Sequence, residues 1–149
     1  MNLTMNYIDR TELLNDAPQG VYDPLDEPTL DRLITRASRL MRKYTKLAIY
    51  DTDALDMPTD PRVLAAFKDA TSAQVLAWVQ ADVVDALTNE GATAQATVAS
   101  SSNNGASITL DNSEASAARA YLIGGGLSSE AKLILEDAGL IGIMPWLRV

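Results

Sequence analysis

The residues that could do chemistry in this chain are few, and what is missing narrows the field first. Among 149 residues there is no histidine and no cysteine, so disulfides, thiolate nucleophiles, His-based triads and zinc sites of the usual Cys/His kind have nothing to be built from. Carboxylates, Lys, Tyr, Ser and Thr remain, and their spacing singles out no nucleophile with a base. Asp51-Thr52-Asp53 with Asp56 has a partial likeness to a calcium loop but lacks the glycine and the closing glutamate that the loop requires, and it reads as a turn. Gly124-Gly125-Gly126 stands ahead of a helix start, where backbone N–H groups can cradle phosphate. No lysine follows it, no strand precedes it and the Walker spacing is absent, so it reads as a flexible break before Ser128 caps the next helix. Trp78 and Phe67 read as core anchors rather than ligand platforms. The expectation is a protein with no catalytic residue, no cofactor and no metal.

Charge carries more information. The formal net charge is -8, which argues against a dedicated phosphate-binding surface, since nonspecific nucleic-acid affinity rests on Lys and Arg. Yet Arg32, Arg36, Arg39, Lys43 and Lys46 recur at spacings of four, three, four and three, placing them on one helical stripe. Such a stripe is either a solvated outer face or a cationic surface that meets an acidic one on a neighbouring copy or partner. No apolar run approaches the ~18 residues of a membrane span, and no charged segment leads into an apolar one as in a signal peptide. The expectation is a soluble chain made in the cytoplasm, with no membrane partner.

The elements that must position these residues are mainly helical. Asp9 with Glu12 has the spacing of a capping box ahead of Leu13 and Leu14. Asp26-Glu27-Pro28 opens a helix from about Pro28 to Ile49, with Leu30, Leu33, Ile34, Ala37, Leu40, Met41, Tyr44, Leu47 and Ala48 on its apolar face and the cations opposite. Asp60-Pro61 starts a long central helix, predicted from Pro61 to Asn89. One stripe of it holds Val63, Ala66, Phe67, Ala70, Ala77, Trp78, Ala81 and Val84, with Gln74 interposed. The opposite row begins polar at Lys68 and Ser72, then continues as Val75, Leu76, Val79 and Val83. A helix apolar on both sides is central in a large core or sits in an interface, so Val75, Val79 and Val83 are expected to face another subunit.

The remainder is less regular. Residues 92–112 shift to Ala, Thr, Ser, Asn and Gly, and Asn104-Gly105 between Thr97-Val98 and Ile108-Leu110 has the pattern of a Ser-rich β-hairpin or loop, with Asn103, Asn104 and Gly105 at its tip. Asn112-Ser113 opens a further helix through Ala115, Ala118, Tyr121 and Leu122. A last helix, Ser129 to Asp137, shows Leu133, Ile134 and Ala138 as apolar positions and Gly139 as its C-terminal cap. Residues 140–149, almost uncharged and broken at Pro145, read as an arm that docks onto protein. The fold class is therefore a small helical bundle with a long central helix, forming one domain over 1–139, a hairpin or loop insertion, and an extended C-terminal arm.

This order of parts resembles the head-to-tail connector (adaptor, or head completion) proteins of long-tailed bacteriophages. The likeness lies in the basic-faced helix from Leu30 to Ala48, the acidic loop, Asp60-Pro61-Arg62-Val63-Leu64-Ala65-Ala66-Phe67 leading to Gln74-Val75-Leu76-Ala77-Trp78, the segment ending in Ser101-Ser102, and Leu127-Ser128-Ser129-Glu130-Ala131 to Ala138-Gly139-Leu140. It spans about Leu25 to Leu140 and consists of element order and short strings. The resemblance implies a virion protein at the capsid–tail junction, in a ring of commonly twelve copies under the portal protein, continuing the DNA channel without specific DNA binding. A tail-side stopper or tail terminator protein would dock on it. Portal docking would fall to the C-terminal part, with Ile143, Met144, Pro145, Trp146, Leu147 and Arg148, and a head-to-tail ring contact would use Arg32, Arg36, Arg39 and Lys43. The alternative is a generic helical interaction or regulatory module.

Overall fold

Three carboxylate caps set the helical frame of the computed structural model, which describes residues 6–88 and 109–141. Asp9 closes the expected capping box with Glu12 and starts α1, Arg10–Asp16. Asp26 accepts the Thr29 N–H at 2.9 Å and starts α2, Glu27–Tyr44. Asp60 accepts the Arg62 N–H at 2.9 Å ahead of α3, Pro61–Gln80. The series continues with α4, Val84–Thr88, α5, Thr109–Ile123, and α6, Ser129–Asp137, the last capped by Ser128 through the Ala131 N–H. The protein is mainly helical, with no strand among the described residues beyond an isolated bridge between Thr52 and Pro58. None of the described helices is long and apolar enough to cross a membrane.

Three helices end in the same way. In α6, Leu140 N–H reaches Leu135 O and Gly139 N–H reaches Glu136 O, with Gly139 at φ 75. In α5, Gly126 N–H reaches Tyr121 O and Gly125 N–H reaches Leu122 O, with Gly125 at φ 100. Both are Schellman caps, in which a left-handed residue lets two N–H groups satisfy the last carbonyls. The glycine triplet is thus a hydrogen-bonded helix stop and not the flexible break expected. In α3, Val83 N–H reaches Trp78 O and Asp82 N–H reaches Val79 O, with Asp82 itself at φ 59.

That third cap corrects the long central helix. The chain turns at Ala81 to Val83 and resumes as α4, so no continuous helix runs to Asn89. Asp in the left-handed position was not a legible stop, because only glycine adopts it without cost. Helix α2 also stops short of Ile49. Thr45 caps it, its hydroxyl donating to Met41 O at 2.8 Å, and Leu47 is left 88% exposed rather than in the core. Helix α5 begins at Thr109, which places Thr109 and Leu110 in a helix and not in a hairpin strand. The rest of the proposed hairpin, its tip at Asn103, Asn104 and Gly105, and the docking residues Ile143 to Arg148 lie outside the described residues.

The chain divides into two units, 1–76 with 127–149, and 77–126. The first is built around Tyr7, Met41, Ala66, Phe67, Ala70, Leu127, Ala131, Leu135 and Leu140, with the Tyr7 and Phe67 rings stacked at 4.4 Å. In α6 the inward positions are Ala131 and Leu135, while Leu133 is exposed. Gln74, fully buried, accepts the Ser128 N–H at 2.8 Å and so fixes the start of α6 against α3. The second unit buries Trp78, Val83, Ala86, Leu87 and Leu122. Within it Arg119 donates to Ala81 O at 2.9 Å and lies 3.6 Å from Asp82, placing a cation at the carbonyl end of α3.

Candidate functional site

Helix α1 explains why the polar row of α3 does not face water. Ser72 is buried and donates to Asp16 at 2.9 Å, and Lys68 pairs with Glu12, whose other oxygen completes the capping box. Arg10 on the same helix pairs with Glu27 and Asp31 of α2. The Tyr7 N–H donates to Ser38 at 3.1 Å, tying the segment ahead of α1 to the middle of α2. Burial pushes the Tyr7 hydroxyl well above its ordinary titration range, with Tyr50 adding to the rise. That hydroxyl makes no hydrogen bond of ordinary geometry, although Tyr50 and Arg42 lie beside it.

Open clefts lie among the described residues. One, about 820 Å³, is lined by Asn6, Asp9, Arg10, Glu12, Glu27, Asp31 and Lys68 among others, and its cations are engaged by the carboxylates just described. A second, about 700 Å³, is lined by Val63, Ala66, Ile134 and Ala138 together with Asp60, Arg62, Asp69 and Asp137. The third, about 330 Å³, brings Asp16 near Asp69. Partial burial raises the Asp69 carboxyl above its ordinary value, and the negative charge of Asp16 raises it further. The third also holds the buried Ser72 hydroxyl against the Asp16 carboxylate, and no group of three acidic side chains that could hold a metal occurs among the described residues.

The cationic stripe of α2 has a different character. Arg32, Arg39, Lys43 and Lys46 are exposed along α2 and its C-terminal turn, and Arg36 is half-buried. Beside them Tyr44 is exposed with the Lys43 ammonium 5.5 Å from its ring centre, Leu47 stands out, and Ile49 is 99% exposed. Past Ile49 the chain folds into a tight turn. Asp53 N–H meets Met57 O at 2.9 Å, the Asp53 carboxylate accepts the N–H groups of Leu55 and Met57, and Asp56 takes a left-handed φ of 65. Asp51, Thr52, Asp53 and Asp56 are thus parts of a turn, as expected. Leu55 at its tip is 69% exposed.

The cations expected at a contact surface are therefore where the helical spacing put them, but the apolar row is not. Val75 and Val83 are buried within the chain, and Val79 is half-buried. This corrects the assignment of Val75 and Val83 to an inter-subunit face and leaves that of Val79 as it was. Large apolar side chains are exposed instead at Tyr44, Leu47, Ile49 and Leu55, and singly at Leu14, Tyr121 and Leu133; helical periodicity places Tyr44 and Leu47 in the core. The missed signal was Thr45, a residue able to bond back to the preceding turn and end the helix. No protein-family model matches the chain, and neither does any curated protein or solved structure.

Proposed function

We propose that this chain is a structural connector protein of a long-tailed bacteriophage, a non-enzymatic ring component that sits under the portal, extends the DNA channel and gives the tail side its docking surface. The resemblance from Leu25 to Leu140 supports this reading, and a mainly helical architecture is in keeping with it. The observation that carries it is the exposure of Leu47, Ile49 and Leu55, three large aliphatic side chains in one short stretch of chain that also holds the exposed Lys43 and Lys46. Large apolar side chains left in water in such number favour a surface that meets protein. An acidic chain also suits a channel wall along which DNA passes without adhering. In this reading the copies form a ring, commonly of twelve, at the capsid–tail junction after synthesis in the host cytoplasm. The portal protein would receive Ile143 to Arg148, and a stopper or tail terminator would bind the opposite side.

The test is a phage carrying this chain without Ile143 to Val149. Filled heads that lack tails, with the truncated chain no longer bound to portal, are the expected outcome. Normal tailed particles, or a full-length chain that is absent from virions, would overturn the proposal and favour a helical interaction module.

A further inference from the structure

We propose that the turn spanning residues 51–59 of one copy, with Leu55 at its tip, seats against the cationic C-terminal end of α2 on a second copy, at Lys43, Tyr44, Lys46 and Leu47. This deepens the connector reading by naming a contact between copies, and it depends on that reading only for where the copies meet.

The two surfaces are chemical complements. The turn presents one exposed leucine flanked by the exposed carboxylates of Asp51, Asp53 and Asp56. The end of α2 presents two exposed lysines interleaved with an exposed tyrosine and leucine, and Arg39 lies one turn earlier on the same stripe. Within one chain the turn does not cover this end, since Leu47 and Leu55 are both exposed. Each copy thus carries both halves of the contact, in equal number. That is what association between identical chains requires, whether the contact closes a pair or propagates around a ring.

The turn is also built to dock without first being ordered. Asp53 holds Leu55 and Met57 N–H groups at 2.8 and 3.1 Å, Asp56 N–H returns to Asp53 O at 3.0 Å, and Thr59 N–H returns to Asp51 O at 3.0 Å. A tip already fixed by five such bonds, counting Asp53 N–H to Met57 O, loses little conformational freedom on binding. An apolar tip ringed by like charge would be repelled by an acidic surface, and the chain carries a net charge of -8. The α2 stripe holds five of the twelve Lys and Arg residues, so it is the surface of a sister copy that attracts the turn.

The absence of cysteine makes the test clean. Full-length Leu55→Cys and Lys46→Cys chains, prepared separately and mixed near millimolar concentration, are treated with a short bismaleimide. The control pair is Leu55→Cys with Lys132→Cys, an exposed site on α6. Ala54→Cys, also exposed, replaces Leu55→Cys in a parallel arm that keeps the leucine. The proposal expects about tenfold more cross-linked pair than control at low salt, and a fall to the control yield near 0.5 M salt, where screening acts within a few ångströms. Equal yields for the test and control pairs in both arms would overturn it, and so would a preference that ignores salt. Absence of the chain from the phage neck would remove the connector reading while leaving a positive cross-link intact.

Discussion

Along α1, cations of the first unit meet carboxylates: Arg10 lies against Glu27 and Asp31, and Lys68 against Glu12. At the far end of α2, Lys43 and Lys46 stand exposed among Tyr44, Leu47 and Ile49, with Leu55 exposed on the following turn. The same residue types serve the fold in one place and face outward in the other. Pairing at the surface links α1 to its neighbours and engages the cations of the 820 Å³ cleft. Leu47, Ile49 and Leu55 in the outward group are large apolar side chains left in water, and this is the physical reason for assigning them to a partner.

Substitutions should separate the two regions, starting with the core they share. Phe67→Ala removes a fully buried ring stacked on Tyr7 and should cost about 3–5 kcal/mol in urea unfolding. A loss under about 1 kcal/mol would show that the stack is not a core anchor. Gln74→Leu keeps the bulk but leaves the Ser128 N–H without its acceptor, and should cost about 1–3 kcal/mol. Hydrogen exchange should then show the start of α6 losing protection first. The double change Leu47→Ser and Ile49→Ser should leave stability within about 0.5 kcal/mol yet abolish cross-linking to Leu55→Cys. A clear drop in stability would place those side chains on the interior side of the comparison.

The smallest effect is one of pH. Asp69 holds its proton more tightly in the folded protein than in the unfolded chain, because burial and Asp16 both raise its carboxyl. Its contribution favours folding below the ordinary carboxylate range and is lost as pH rises through the raised value. Asp69→Asn should therefore be more stable than the parent at neutral pH, by less than about 1 kcal/mol for so exposed a group, and should lose that advantage on acidification. Paired unfolding curves at neutral pH and near pH 3 check the sign.

Four helix starts were legible because a cap is a local event, whereas α5 begins at Thr109 and not at Asn112-Ser113 as expected. Asp9, Asp26, Asp60 and Ser128 each accept an N–H two or three residues on, and the sequence shows both partners side by side. The stop at Gly139 was legible for the same reason. The stops at Thr45 and Asp82 were not, since helical periodicity runs on past them in Leu47, Ala48, Val83 and Val84. Each misplaced stop moved an apolar residue to the wrong side, Leu47 into the core and Val83 out of it. The coverage of Lys68 and Ser72 by α1 is a contact across 56 residues of chain, and no local pattern encodes it. Of the candidate surface, the cations could be read from spacing alone. Their apolar companions appeared only once the end of α2 was fixed.

The most direct measurement is an image of the assembled phage neck in which this chain can be traced. The account predicts a ring under the portal in which Leu47, Ile49 and Leu55 of each copy are covered by another protein chain. A neck without this chain, or a traced ring in which all three side chains face solvent, would contradict it.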